Sequence, residues 1–328
     1  PPHRQAEALT VQEDVHRLGL AELKAAYAAR SLDPLAATEA YLARIAAEDA
    51  RLRSFITVAA EAARTAAEES RRRWRAGRPL GPLDGISVAV KDNIGVAGLP
   101  CTAGTTAFRD RIPAEDAPVV ARLRQAGAIL LGKLNMDEGA LGATGDNPVY
   151  GRCMNPLMPD YTPGGSSSGA GAAVAGGLCA AALGTDTMGS VRVPAAYCGV
   201  YGLKPTKGAI PGEGVVPLSF SLDCVGPLAR SAAGLEIIAS LLLEPLPRAF
   251  STPVPSPSLS ELRFGVPCQL DEVELTGEVR AAFNRFCDAL RDAGATVAPV
   301  DLASWHPGKA RRAGLLVSEA EGAAYYKA

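Results

Sequence analysis

Ser190 follows a glycine in the stretch TMGSVRV, directly after an apolar run of small residues. A serine presented on a glycine turn is typical of a nucleophile, and such a serine normally needs a general base to take its proton. Histidine is the usual base, but the chain of 328 residues has only three histidines, and none is well placed in the sequence to serve. If Ser190 is a nucleophile, we therefore expect another type of residue to activate it.

Lys91 is the candidate base. It ends the apolar, β-branched run GISVAV, which predicts a buried strand. A lysine withdrawn from water can be neutral near pH 7 and can then accept a proton. The pattern alone leaves open that Lys91 simply extends its ammonium group from the strand end into solvent. Lys204 and Lys207 are rival lysines, but both follow Ser190 in a turn-rich segment.

The serine- and glycine-rich stretch of residues 162–177, TPGGSSSGAGAAVAGG, allows two other interpretations. Neither the P-loop pattern nor G-x-G-x-x-G is satisfied, which disfavours a nucleotide site. Gly165 to Gly169 do satisfy G-x-S-x-G, which would make Ser167 a nucleophile served by His306 and Asp301. That arrangement requires a strand directly before the serine, whereas the preceding PLMPDYTP contains three prolines.

Composition excludes several classes of function. The net charge of −2 and the aromatic content of 5% give no electrostatic or stacking basis for a nucleic-acid partner, and no membrane partner is expected. The seven cysteines are widely spaced and form no C-x-x-C motif, so we expect neither a disulfide framework nor a metal site. Reduced thiols of this kind are typical of a cytoplasmic protein.

The order of the elements predicts an α/β fold. Residues 10–76 carry helical periodicity and predict a helical N-terminal layer. Strands at 85–92 and 128–133 flank a helix at 116–127, a spacing that favours parallel pairing. A similar pattern returns as a βαβ continuation in residues 262–328. We expect a central mixed, largely parallel twisted sheet with helices on both faces.

Three long motifs resemble those of the amidase signature hydrolases. GGSSSGAGAAVAGGLCAAALGTDTMGSVRVPAAYCGVYGLKPTKG, residues 164–208, is similar to the signature itself. PLDGISVAVKDNIGVAGLPCTAGT, residues 82–105, resembles the lysine-bearing motif, and VVARLRQAGAILLGKLNMDE, residues 119–138, resembles the segment between them. Motifs of this length are far more specific than a lone G-x-S-x-G. The resemblance implies the amidase-signature α/β fold.

The resemblance also implies which residues react. Ser190 corresponds to the family nucleophile and Lys91 to the base. Ser166, 24 positions before Ser190, corresponds to a serine on a cis peptide that connects the two. Proton transfer would run from Ser190 through Ser166 to a neutral Lys91, with no cofactor and no metal.

The turn that carries Ser190 is expected to form an oxyanion hole. Backbone N–H groups of Thr187, Met188, Gly189 and Ser190 would stabilise the tetrahedral intermediate. Met188 stands where the family most often has glycine, and its side chain is expected to narrow the pocket or simply to pack. Three matched residues are expected to support the loop: Asp186, Arg192 and Ser167.

The family does not define one substrate, because its members cleave different amides, carbamates and esters. Residues 138–161 carry little charge and are expected to line the mouth of the pocket through Leu141, Met154, Leu157 and Met158. We therefore expect a small-molecule amide or carbamate with an apolar or aryl group, as in the urethane-cleaving members, and a monomer or homodimer. Two alternatives stay open: the glutaminase component of an amidotransferase, and an inactive scaffold protein with the same fold.

The domain organisation follows from the same resemblance. We expect 1–328 to form a single amidase-signature domain, with the catalytic core at 80–240 and a Pro/Ser-rich connection at 244–261. Family members generally continue past the equivalent of Ala328. We therefore expect that the C-terminal part of the family is missing from this sequence.

Overall fold

The computed structural model of the protein describes residues 15–243 and 257–327. Contacts divide them into a larger unit, residues 15–243 with 321–327, and a smaller unit, residues 257–320. The first residues of the predicted N-terminal layer, and most of the predicted Pro/Ser-rich connection, lie outside the described residues. The assignment of the whole chain to one domain stays a prediction.

A six-stranded sheet forms the centre of the larger unit, in the order β1-β3-β2-β4-β6-β5. Strands β2 and β3, and strands β2 and β4, pair in parallel, whereas the outer pairs are antiparallel. Every residue of β2, β3, β4 and β6 is buried. The strand bounds are β1 Phe55–Val58, β2 Ser87–Lys91, β3 Ile129–Leu134, β4 Ala181–Asp186, β5 Tyr201–Gly202 and β6 Cys224–Ala229.

Helices cover this sheet. Helix α2 contacts β2, α3 contacts β3, α7 contacts β6, and α5 contacts β2, β3, β4 and β6. The α/β class with a mixed central sheet is therefore confirmed, with the parallel pairs at its centre. The helix bounds in this unit are α1 Leu20–Ala28, α2 Pro34–Leu52, α3 Ala60–Arg75, α4 Pro118–Gln125, α5 Ser168–Ala175, α6 Arg192–Tyr197 and α7 Ala232–Leu242.

Helix α5 is short and consists of small residues, SGAGAAVA, of which all but the last are buried. Its glycines allow close approach of other backbone groups. A Cβ atom on Gly169 would lie 2.3 Å from the carbonyl oxygen of Ser54, and one on Gly171 would lie 2.8 Å from that of Pro194. The predicted central buried helix is therefore present, and it holds the serine-rich loop against the sheet.

The N-terminal layer is not purely helical, contrary to the sequence prediction. Residues Phe55–Val58 form β1, which pairs antiparallel with β3 at the edge of the sheet. Helix α2 ends at Arg53, whose φ of 50° is left-handed. The sequence that follows, FITV, is aromatic and β-branched, and therefore suits a strand.

The smaller unit contains the predicted βαβ pattern. Strands β7, Arg263–Pro267, and β8, Thr296–Val300, pair in parallel around α8, Gly277–Asp292. The chain continues into α9, Pro307–Tyr326, whose last residues belong to the larger unit. Among the described residues, no helix has the length and apolar character needed to span a bilayer.

Candidate active site

The candidate site lies where β2 and β4 end. Lys91 is the last residue of β2, and Thr185 is the penultimate residue of β4. The two strands are parallel, with Val90 opposite Leu183, so their carboxyl ends meet at the same edge of the sheet. Open α/β sheets commonly form their sites at this edge.

Lys91 is completely buried, and its side chain turns inward rather than to solvent. Its Nζ donates to Ser166 Oγ over 2.7 Å and to Thr185 Oγ1 over 2.8 Å. Burial lowers the pKa of Lys91 to about 7, although the negative charges of Asp137, Asp223 and Asp186 oppose this shift. A substantial fraction of Lys91 is therefore neutral at physiological pH, as a proton acceptor requires.

Ser166 is buried and lies on the loop just before α5. The Gly165–Ser166 peptide bond is cis, as the resemblance implied. Position 165 must be glycine, because a Cβ atom there would lie 1.9 Å from Asp137 Oδ2. The Ser166 carbonyl accepts from the N–H of Asp137 over 3.2 Å. The loop that presents Ser166 to Lys91 is therefore held from both sides.

Ser167 connects this loop to the turn that carries Ser190. Its N–H donates to the Ser190 carbonyl over 3.1 Å, and its hydroxyl donates to the Thr185 carbonyl over 3.1 Å. No strand precedes it, since residues 162–164 are irregular. Ser167 is thus a buried link between β4 and the Ser190 turn, and the G-x-S-x-G interpretation lacks the strand that it needs.

Asp186 and Arg192 hold the Ser190 turn. The Asp186 carboxylate accepts from the N–H groups of Gly189 over 2.7 Å and Val191 over 3.2 Å. It also accepts from Arg192 Nε and Nη2, both over 2.9 Å. Although burial alone would raise the pKa of Asp186, the hydrogen bonds and charge of Arg192 outweigh it and hold the pKa below its usual value. The carboxylate is therefore ionised and fixes the turn.

The predicted set of four oxyanion donors needs a correction at Gly189. Its N–H points to Asp186 and so serves to hold the turn. The backbone N–H groups that remain for an oxyanion are those of Thr187, Met188 and Ser190. Ser190 is partly exposed and Met188 is exposed, so this turn faces open space.

Asp223 joins the same turn to a neighbouring loop. The Thr187 hydroxyl donates to Asp223 Oδ1 over 2.6 Å. Asp223 Oδ2 accepts from the N–H groups of Leu218 over 2.9 Å and Ser219 over 3.1 Å. The loop of residues 217–223 is therefore fixed relative to the residues next to Ser190.

A cavity of about 470 Å³ lies beside this loop. It reaches Thr185, which also contacts Lys91, and it includes Asp223. The apolar part of its lining consists of Ile210, Val215, Pro217, Phe220, Val225 and Tyr325.

The predicted pocket residues do not line this cavity. Leu141, Leu157 and Met158 are exposed, and Met154 packs against the main core. This prediction was wrong about the cavity because an uncharged loop need not face the reacting atoms. The lining residues come instead from loops after Ser190, which show no helical or strand periodicity.

Both rival lysines have other partners. Lys204 Nζ donates to the carbonyl of Pro205 over 2.8 Å, and Lys207 Nζ donates to the carbonyl of Asp223 over 2.8 Å. Lys207 is exposed, in contrast to Lys91.

Sequence reasoning missed several supporting residues. Thr185 bonds to Lys91, and Asn93 Nδ2 donates to Thr185 Oγ1 over 3.2 Å. A second buried lysine, Lys133, lies 3.3 Å from Asp92 Oδ1. The polar triplet KDN at the end of a buried strand was the available signal, because polar groups there require partners.

The comparisons with known proteins agree with this geometry. The family model named Amidase matches residues 36–327. The A-type component of the glutamyl-tRNA(Gln) amidotransferase from Anaeromyxobacter dehalogenans is 43% identical over 302 residues, which cover 89% of this chain and 61% of that protein. The protein of the same name from Chloroflexus aurantiacus is 40% identical over 298 residues, covering 88% and 61%. The chain thus spans less than two thirds of the length of these curated relatives.

Solved structures give the same result. The native peptide amidase of Stenotrophomonas maltophilia superimposes with a TM-score of 0.82 at 35% identity, covering 94% of this chain and 67% of that one. The family model covers most of the sequence, and the cis Gly165–Ser166 bond and buried Lys91 lie within the matched motifs. The chain therefore belongs to the amidase family.

Proposed function

We propose that this chain carries the catalytic core of a serine hydrolase that cleaves C–N bonds of amides or carbamates, with Ser190 as nucleophile, Ser166 as relay and Lys91 as base. The observation that carries the proposal is the completely buried Lys91, with Nζ 2.7 Å from Ser166 Oγ and a pKa lowered by burial to about 7. A neutral amine in contact with a serine is what a base of this kind requires.

The first half of the reaction forms an acyl- or carbamoyl-enzyme. Ser190 Oγ attacks the carbonyl carbon as its proton passes to Ser166 Oγ, while the proton of Ser166 passes to neutral Lys91. The C–N bond then breaks, and the relay returns one proton to the leaving nitrogen. Water attacks the ester or carbamate on Ser190 by the same route, which regenerates the free hydroxyl.

The N–H groups of Thr187, Met188 and Ser190 would stabilise the oxyanion. Each such donor typically contributes about 10²–10³ in rate when it is fixed before the reaction. Asp186 supports this role because it holds the turn through Gly189 and Arg192.

The proposed substrate is a small amide or carbamate with an apolar or aryl group, with carbamate cleavage as the specific expectation. The support no longer comes from Leu141, Met154, Leu157 and Met158. It comes from the largely apolar lining of the cavity beside Thr185. No cofactor or metal takes part in the proposed steps, so EDTA is expected to leave activity unchanged.

The test is hydrolysis of a 4-nitroanilide and a phenyl carbamate by wild type, Ser190→Ala and Lys91→Ala. We expect turnover by wild type and a loss of at least about 10³-fold in both variants. The ratio of carbamate to amide turnover then tests the specific expectation. Variants as active as wild type would remove the assignment of both residues.

The glutaminase component of an amidotransferase is the second candidate. It is favoured by the identity of 43% to the A-type component of a glutamyl-tRNA(Gln) amidotransferase. Release of ammonia from glutamine, with no cleavage of aryl amides or carbamates, would support it over the first candidate. An inactive scaffold is distinguished from both by a serine-directed fluorophosphonate, which would leave a scaffold unlabelled. A cytoplasmic location and a monomeric or homodimeric state stay predictions.

A further inference from the structure

The cavity beside Thr185 has one aromatic side. Phe220 and Tyr325 both line it, with ring centroids 6.3 Å apart and ring planes at 65°. Tyr325 also makes an edge contact with Phe108, at 6.4 Å. Phe220 in contrast is 55% exposed, although it lies on a loop whose neighbouring residues are fixed. An aromatic ring held on a fixed loop, with one face open to a cavity, is suited to contact a ligand.

Glu321 fixes the loop on both sides of Phe220. Its carboxylate accepts from Ser219 Oγ over 2.5 Å, from the N–H of Ser221 over 3.0 Å and from Ser221 Oγ over 2.5 Å. Hydrogen bonds from Ser219 and Ser221 lower the pKa of Glu321 to about 2, so the carboxylate is ionised near neutral pH. The two serines bracket Phe220, and Glu321 therefore determines where its ring lies.

The charged groups of the lining favour a neutral ligand. Asp223 is engaged by Thr187 and by two backbone N–H groups. Lys207 donates to the Asp223 carbonyl. The third charged lining residue, Glu213, is exposed and would repel a carboxylate. A neutral planar group is left as the chemistry that this cavity accommodates best.

We propose that Phe220 and Tyr325 form an aromatic wall that selects substrates with a neutral aromatic ring, and that Glu321 is the positioning residue for this wall. The inference rests on the proposed hydrolase function and names its substrate class. Ring-to-ring contact with Phe220 accounts for the selection, and the Glu321 contacts with Ser219 and Ser221 account for its geometry.

The experiment compares benzamide and acetanilide, which carry the ring on the acyl or the leaving side, with propionamide. In Phe220→Ala, we expect kcat/KM for at least one aromatic substrate to fall about 10-fold or more, while propionamide changes by less than about 3-fold. Glu321→Ala should reproduce this selective loss, mainly through KM. Glu321→Gln keeps a side-chain oxygen as acceptor and should retain more of the preference.

Tyr201→Ala is the matched control, because Tyr201 is 52% exposed on β5 and does not line the cavity. It should leave the ratio of aromatic to aliphatic turnover unchanged. Equal losses on all three substrates, or no loss in Phe220→Ala, would overturn the inference.

Calorimetric binding to the Ser190→Ala variant separates this inference from the proposed function. Tighter binding of an aromatic amide than of propionamide, reduced by adding Phe220→Ala, supports the aromatic wall even without turnover. Absence of turnover by the parent protein would then count against the hydrolase proposal alone. Equal binding of aromatic and aliphatic amides would overturn the aromatic wall.

Discussion

Lys91 Nζ lies 2.7 Å from Ser166 Oγ, although the two residues are 75 positions apart in the chain. Parallel pairing of β2 with β4 brings the first to the sheet edge, and the tightly packed loop before α5 brings the second. Neither group is exposed to water. The sheet thus places a lysine where burial favours its neutral form and where a hydroxyl is its direct neighbour.

The pH dependence of activity is the first prediction. Burial lowers the pKa of Lys91 to about 7, and only the neutral amine accepts a proton. With chemistry rate-limiting, kcat/KM for a 4-nitroanilide should rise about tenfold per pH unit below the midpoint and level off above it. The midpoint should lie near pH 7. A profile that is flat between about pH 6 and 9 would contradict a lysine base.

Removing Asp186 should impair both catalysis and stability. Asp186→Ala takes the acceptor away from Gly189, Val191 and Arg192, so the turn loses its geometry. We expect kcat to fall at least about 100-fold. We also expect the free energy of unfolding to drop by about 3–5 kcal/mol, because the carboxylate is buried.

Arg192→Ala is the comparison for that variant. The Arg192 side chain is 51% exposed, and Asp186 keeps its backbone donors when the guanidinium is lost. The loss of stability should be no more than about 1 kcal/mol. Urea unfolding and kcat measured on both variants check the order. A larger effect from Arg192→Ala than from Asp186→Ala would refute the role given to Asp186.

Gly189→Ala tests whether the turn tolerates a side chain. Gly189 has a φ of 130°, and a Cβ atom there would lie 3.1 Å from Val193 Cγ2. The turn must shift, so we expect kcat to fall about 10- to 100-fold. Gly77→Ala is the control, since Gly77 also has a positive φ, 67°, but nothing lies near its Cβ position. That variant should lose some stability and no activity, and equal kcat values for the two variants would rule out this explanation.

Lys133 should be structural, although it is as buried as Lys91. It lies 3.3 Å from Asp92 Oδ1 and donates to the Pro100 carbonyl over 3.0 Å. Lys133→Met leaves the buried Asp92 carboxylate unpaired and should cost about 3–5 kcal/mol of stability. The double variant with Asp92→Asn should recover part of that loss. Thermal unfolding measures both variants, and no recovery in the double variant would argue against an ion pair.

Lys91→Met gives the opposite expectation. Its burial is unfavourable for the charged form, so the free energy of unfolding should fall less than in Lys133→Met, whereas hydrolysis should be lost. The two lysines therefore separate by a pair of measurements on each variant, unfolding and kcat. Loss of hydrolysis in folded Lys133→Met with retention in Lys91→Met would reverse the assignment.

Regular elements were the part of the fold that the sequence predicted well. Strands β2 and β3 and helix α5 consist of continuous apolar or small residues, because both sides of each are buried. Strand β1 was missed because four residues between two long helices give too short a pattern. Its strand character depends on pairing with β3, which is distant in the sequence.

Periodicity alone did not decide the role of Lys91, since a lysine at a strand end is as consistent with exposure to solvent. The family motifs singled out Lys91, Ser166 and Ser190, and the structure places the first two in contact. The pocket and the donor at Gly189 could not be predicted, because they depend on where loops lie in space. Phe220 and Asp223 carry no local pattern that links them to Thr185 or Thr187.

The most direct test of the account is the rate at which a fluorophosphonate labels the protein between about pH 5 and 9, with the modified residue located by mass spectrometry. We predict labelling at Ser190, with a rate that rises through a midpoint near pH 7 and is abolished in folded Lys91→Met. Labelling at Ser167, or labelling of Ser190 that is independent of both pH and Lys91, would contradict the account.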